Sequence, residues 1–361
     1  MRLLVAISHH GLGHLAQAAP VLAALAELRP ECEFLIWSGV APAALAARIR
    51  APFRQRFEAA DAGLVMHDAV RVDLEASRAA YLALHRDWDA RVAREAAWLH
   101  AEGITGVLAD VACLPLAAAA AAGIPGIALC SLNWVDVAAA YLGGQPGMAP
   151  VLAQMAAAYR SARLFLRALP AMPMDWLDNA EALPPIAARG RDRRVELRAR
   201  LGLNAEERLL LLGFGGVAYQ AATPLPEVAG ARWLAPDDWP AAGAGRRADL
   251  IPFARTGMPF LDLLACCDTL ITKVGYGSFV EAAVAGVPVL YIDRPDWPET
   301  PFLAGWLRDN GRAAAIGEAA LFDPAIADRL AELWAQPARP APAAPGAAVA
   351  ARRLLEMFGT A

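Results

Sequence analysis

Charge and aromatic rings are both scarce in this chain of 361 residues: charged residues make up 19% and Phe, Trp and Tyr together 7%. The five cysteines (Cys32, Cys113, Cys130, Cys266 and Cys267) form no CxxC pair and no metal-ligand spacing. An odd count of cysteines in apolar surroundings excludes a disulfide scaffold and suits reduced thiols in a cytoplasmic protein. No run of about 20 strongly apolar residues occurs, so no membrane-spanning helix is expected. The opening Met1–Ser8 is one apolar strand with a single Arg, too short for a signal peptide. A net charge of −4 argues against nucleic acid as a partner. The first glycine loop lacks the full GxGxxG fingerprint, and no acid ends the second strand, which excludes a dinucleotide-dependent dehydrogenase. The second half has no DxD-like acid pair at a strand end, so no metal site and no cofactor are expected.

Hydrophobic residues, with alanine foremost, amount to 57%, enough for two domain cores in a chain too long for one ordinary domain. Leu3–Ser8 reads as a buried strand, followed by the loop HHGLGH, a helix from about Leu15 to Arg29 and a second strand, Glu33–Ser38. Strand, glycine loop and helix in that order open a doubly wound α/β domain. Three histidines, His9, His10 and His14, crowd the loop, and a histidine there can take a proton from a hydroxyl near neutral pH. Gly106–Ala109 is a strand ending in Asp110, an acid placed to orient His14, although it would equally serve as an N-cap. After the strand Gly126–Cys130, the turn SLNWVD puts Ser131, Asn133 and Asp136 at the same rim. The pattern further predicts one long helix over Leu74–Ala101 and another over Val151–Arg167. Arg48, Arg50, Arg54 and Arg56, interleaved with Ile49, Phe53 and Phe57, read as a solvated edge with at most weak peripheral contact to an anionic or lipid surface.

The second half repeats the plan. Arg208–Phe214 is a strand ending in a glycine loop, with Gly213, Gly215 and Gly216 suited to close approach by a phosphate or sugar. Leu270–Thr272, the turn Gly275, Tyr276, Gly277 and Ser278, and a helix over Phe279–Ala285 form a second such unit. The helix N-terminus above that turn is an anion site, and Glu281 can accept hydrogen bonds from a hydroxylated ligand. The domains expected are 1–168 on the acceptor side, a linker at 169–190, a donor domain at 191–335, an Ala/Pro spacer at 336–346 and a helix at 347–361 packing back on the first domain.

Two α/β halves, each opened by a ligand loop, with a returning C-terminal helix, resemble the GT-B glycosyltransferase plan. DTLITKVGYGSFVEAAVAGVPVLYI is similar to the donor signature of glycosyltransferase family 28, which includes the N-acetylglucosaminyltransferase completing the lipid-linked peptidoglycan precursor. That resemblance implies a UDP-sugar donor, with Glu281 on the ribose, Gly275–Ser278 at the diphosphate, Phe260 by the uracil, and the GFGG loop as the family's glycine loop. GLGH resembles the family's acceptor loop, so His10, Gly11 and Gly13 are expected on the acceptor side, joined there by Asn133 of the SLNWVD turn. His14 is expected as base and Asp110 as its orienting acid. The order of the glycine loop, Asp68 and Asp73, an SDVVPVA-like stretch and the KVGYGS turn resembles still more the N-terminal glycosyltransferase-like half of plant L-arabinokinases. That resemblance does not reach their kinase half and implies no kinase activity. Three departures from family 28 stand out: His9-His10, Lys273 before the turn, and DRPDWPETPF in place of the usual donor-sugar loop. Lys273 is expected near the diphosphate, and Glu299 with Asp296 at the sugar, whose identity stays open. The expected activity is metal-independent hexosyl or N-acetylhexosaminyl transfer to an unidentified acceptor hydroxyl. A non-catalytic nucleotide-sugar-binding subunit and a sugar-nucleotide epimerase are the alternatives.

Overall fold

The computed structural model describes residues 1–216, 219, 223–240 and 247–359. The first sheet holds seven strands: β1 (Arg2–Ile7), β2 (Glu33–Trp37), β3 (Phe53–Arg56), β4 (Gly106–Asp110), β5 (Gly126–Cys130), β6 (Leu164–Ala168) and β7 (Ala180–Leu183). They run in the order β3-β2-β1-β4-β5-β6-β7, every neighbouring pair parallel. The second sheet is built from β8 (Arg208–Leu212), β9 (Ala231–Ala235), β10 (Leu250–Pro252), β11 (Thr269–Lys273), β12 (Val289–Ile292) and β13 (Ala313–Ile316). Its order is β10-β9-β8-β11-β12-β13, again wholly parallel. Helices cover both faces of such sheets, so central strands are apolar throughout. Leu3 to Ile7 are accordingly fully buried, as are Val107 to Ala109 and Leu209 to Leu212. Each such Leu or Ile contributes roughly 1.5–3 kcal/mol.

Strand order fixes where ligands go. It reverses between β1 and β4 in one sheet and between β8 and β11 in the other. The crevices at these reversals open beyond the strands' carboxyl ends. The histidine loop and Asp110 flank the first crevice, because Ile7 and Asp110 are register partners. The GFGG loop and the Lys273–Ser278 turn flank the second.

Three expectations need correction. Leu74–Ala101 is two helices, Leu74–His85 and Trp88–Ala101, broken where Arg86 turns extended and Asp87 takes a left-handed φ of 52°. Asp tolerates that conformation, and His85 stacks on Trp88 across the break at 4.3 Å. The helix expected over Val151–Arg167 runs from Met148 to Ser161, and Leu164–Ala168 leaves it to pair with β5. The connector expected at 169–190 carries β7, the edge of the first sheet, so the chain stays with that sheet through Leu183.

Helix Gly13–Leu28 lies between two others. It packs against the C-terminal helix Gly346–Phe358 and against Tyr276–Ala285 of the second half. Small residues permit the second of these approaches: a Cβ on Gly277 would sit 2.7 Å from the Ala16 Cβ. The C-terminal helix also reaches the first sheet, where a Cβ on Gly106 of β4 would lie 2.9 Å from the Phe358 ring. No helix among the described residues is long and apolar enough to cross a membrane.

Candidate active site

A cavity of about 470 Å³ lies between the two sheets, lined from both. On the first wall, β1 delivers the chain to a loop in which Gly11 takes a left-handed φ of 77°. This turn sets His14 at the second position of its helix, 5% exposed and lining the cavity. Its Nδ1 lies 2.9 Å from Oδ1 of the fully buried Asp110. An Nδ1–H donated to that carboxylate leaves Nε2 with the free lone pair. Burial pulls the His14 pKa down, but the hydrogen bond and charge of Asp110 outweigh it and hold the imidazole above its ordinary 6.5. Burial raises Asp110 as well, so the pair holds its protons more tightly than either group would in water. Cys130 Sγ, 3.6 Å from Nδ1, completes a cluster whose ligand atoms fall within 4.8 Å of one another. The 2.9 Å Nδ1–Oδ1 separation is a direct hydrogen bond, and burial keeps the thiol protonated, which suits a dyad better than an ion.

His10 plays a different part. Its Nδ1–H donates to the Leu64 carbonyl at 3.0 Å, and its ring stacks on Trp297 and meets Trp134 edge-on. Burial, then the charges of His14 and Lys273, push its pKa to about 3. His10 is therefore neutral, with Nε2 an acceptor. Gly13 and Gly11 also line the cavity. Asn133, expected at the acceptor rim, is fully buried away from it. Its side chain caps helix Trp134–Leu142 by accepting from the Asp136 N–H and donates to the Asp136 carboxylate.

On the second wall, Gly215 and Gly216 have φ of 72° and 83°, which a side chain would strain. The Leu12 N–H donates to the Gly215 carbonyl at 2.8 Å, so the two glycine loops touch across the cleft. Gly213 is packed against Phe260, where an added Cβ would lie 2.9 Å from the ring. β11 leads through Lys273 to the helix Tyr276–Ala285, so Tyr276, Gly277 and Ser278 form its first turn and do not precede it. Gly275 is extended at φ −178°, a conformation open to any residue. The first residues of this helix, whose N–H groups have no partner within the helix, line the cavity beside Lys273. The Tyr276 hydroxyl is spent elsewhere, donating to the Leu169 carbonyl and accepting from the Ile186 N–H. Glu281, 3% exposed, lines the cavity but is held by Arg48 of the first half.

The loop after β12 supplies the far end. Glu299, 3% exposed, accepts from the Ser131 hydroxyl at 2.6 Å and from the Trp297 indole at 3.3 Å. Gln17 in turn fixes Ser131 through its backbone N–H and hydroxyl. Asp296 lies outside the cavity lining, half-exposed, and accepts from the Tyr141 hydroxyl. Sequence reasoning missed Arg48, Gln17, Arg294 and Trp297 as cavity residues. Arg48 had been grouped with a surface-directed arginine run, yet Arg48, Arg54 and Arg56 all end in ion pairs, with Glu281, Glu102 and Glu95.

No family model matches the chain. It is 26% identical over 309 residues to an L-arabinokinase of Arabidopsis thaliana, a match covering 83% of this chain and 29% of that protein. The chain thus spans under a third of the curated relative it matches. Among solved structures, the spinosyn forosaminyltransferase SpnP superposes with a TM-score of 0.59 at 14% identity, covering 99% of this chain and 95% of that one. Arabidopsis thaliana UGT89C1 complexed with UDP does so with 0.57 at 16% identity, covering 98% and 93%. The two parallel-sheet domains therefore have the GT-B glycosyltransferase fold.

Proposed function

We propose that the protein is a glycosyltransferase moving a hexosyl or N-acetylhexosaminyl group from a UDP-sugar to an acceptor hydroxyl without a metal ion. One observation carries the reading: a histidine–aspartate dyad and a helix N-terminus, from different domains, face each other across one cavity. In this assignment 1–168 serves the acceptor and 191–335 the donor. Phe260 flanks the base, Glu281 takes the ribose, and the Gly275–Ser278 amides with those of Gly215 and Gly216 meet the diphosphate. Lys273 stands beside them, and Glu299 orients the sugar. His14 Nε2 removes the acceptor proton while Asp110 fixes the ring. Closure of the cleft excludes the water that would otherwise hydrolyse the donor. Two of the similar structures, a forosaminyltransferase and a protein complexed with UDP, support this reading. The kinase name of the Arabidopsis relative belongs to a protein of which this chain spans less than a third.

The test is thermal stabilisation by UDP in wild type and Glu281→Ala, followed by a panel of UDP-sugars with candidate acceptors. UDP should raise the melting temperature of wild type only, and UDP should be released when the right pair is present. Failure of every nucleotide to stabilise wild type would remove the donor-site assignment. Binding without release, or conversion of the sugar without transfer, would favour a binding subunit or an epimerase.

A further inference from the structure

Arg294 is an unusual group to find in this cavity wall. It is 3% exposed, and among the described residues neither its Nε nor its Nη2 has a hydrogen-bond partner. The nearest carboxylate, Asp296, is 3.7 Å from Nη2 and is itself bonded to Tyr141. The guanidinium is braced over the Trp297 ring, 4.8 Å from its centroid. Lys273 lies close by, because β11 and β12 are neighbours and Lys273 pairs in register with Ile292. Both cations line the cavity. The buried acids around them are already engaged: Glu281 with Arg48, Glu299 with Ser131 and Trp297, Asp110 with His14. A buried guanidinium whose one carboxylate stands beyond hydrogen-bond reach, with a second cation beside it, is costly in the folded chain, and such cost is tolerated where a ligand relieves it.

We propose that Arg294, acting with Lys273, clasps the donor's diphosphate and is a catalytic residue for its departure. The inference rests on the donor-site reading above. The donor diphosphate brings two negative charges to two cations and the helix N-terminus beside them. During transfer the acceptor oxygen bonds to the sugar C1 and its proton passes to His14 Nε2. The bond from C1 to the diphosphate oxygen breaks, and its electron pair stays on that oxygen, which gains one negative charge. Arg294 and Lys273 meet that charge as it develops, and no other reactant is needed.

A carboxylate on the donor sugar is a second source of the same oxyanion chemistry, and the experiment separates the two. Uridine, UDP, UDP-glucose and UDP-glucuronic acid are titrated by calorimetry into wild type, Arg294→Met and Lys273→Met. The ligand-free Arg294→Met protein is expected to melt at or above the wild-type temperature, since a buried charge with two unsatisfied N–H groups is gone. Its uridine affinity should be unchanged, while UDP and both UDP-sugars weaken by a common factor of about ten or more. Lys273→Met should do the same. Lys273 also gives a readout in the unaltered protein: burial first, then the charge of Arg294, hold its pKa at about 8. UDP should raise it, so binding near pH 8 takes up protons in wild type and not in Lys273→Met. A ligand-free Arg294→Met that melts well below wild type would show a structural role. Loss of UDP-glucuronic acid alone would move Arg294 to the sugar. Either result overturns the proposal while leaving the donor site standing, and wild type that binds neither uridine nor UDP removes the donor site itself.

Discussion

Arg48 and Glu281, one from each half of the chain, meet as a two-pronged ion pair: Nη1–Oε1 is 2.6 Å and Nη2–Oε2 is 3.3 Å. The acid assigned to the ribose is thus already oriented by the opposite domain. A carboxylate has about four lone-pair sites, so Arg48 leaves room for two ribose hydroxyls. If Glu281 takes the ribose as proposed, the pair ties donor recognition to contact between the two halves.

Removing one partner of a buried pair strands the other. Arg48→Ala is expected to lower stability on the order of 3 kcal/mol at pH 8. Burial already raises the Glu281 pKa against the pull of Arg48, and without Arg48 the acid takes up a proton more readily. Because the folded pKa then exceeds the unfolded one, the deficit should shrink as pH falls below the folded value. Urea unfolding at pH 5 and pH 8 checks this, and Arg48→Ala/Glu281→Gln should recover much of the loss at pH 8.

The dyad makes a prediction about rate. His14 accepts a proton only when neutral, and its pKa lies above 6.5. Transfer should therefore rise with pH along a limb centred above 6.5. Asp110→Asn removes the charge that, with its hydrogen bond, holds that pKa up, so the limb should move to lower pH as the plateau rate falls. His14→Ala should cost about a hundredfold or more in rate and leave UDP affinity intact.

The interface between helices Gly13–Leu28 and Tyr276–Ala285 tests steric fit. In Gly277→Ala the new methyl meets Ala16, and the domains must part or strain, at about 1–3 kcal/mol. UDP affinity should fall with stability, since the first turn of the donor helix shifts. Adding Ala16→Gly should restore binding, at the roughly 1 kcal/mol that glycine costs inside a helix.

Asn133 separates capping from chemistry. Asn133→Ala should lower stability by about 1 kcal/mol through the lost cap. UDP affinity and the rate of transfer should not change, because the side chain does not reach the cavity.

Much of this architecture is legible in the residues because it is local. Continuous apolar runs such as Leu3–Ile7 and Leu209–Leu212 mark parallel strands, and glycines after them mark the loops. His14 and Asp110 stand out because one sits in the glycine loop and helix start after β1 and the other ends β4. Features set by distant partners are not legible. Arg48 finds its acid 233 residues away, and nothing in the run Arg48–Arg56 distinguishes it from its neighbours. Leu164–Ala168 is too short an apolar run to tell from the end of a helix. The break at Asp87 interrupts no hydrophobic spacing. Asn133 was readable, since Asn just before an apolar helical run is a preferred N-cap.

The packing of Phe358 over Gly106 gives the protein a particular order of assembly. The strand β4 lies at the middle of the first sheet, and Phe358, at the end of the last helix, sits on its first residue. A ribosome makes the chain from the amino terminus at about 5–20 residues per second. The first sheet must therefore wait, one apolar patch uncovered, while the whole second domain is synthesised. It is the earliest part of the molecule to begin folding and the last to be finished.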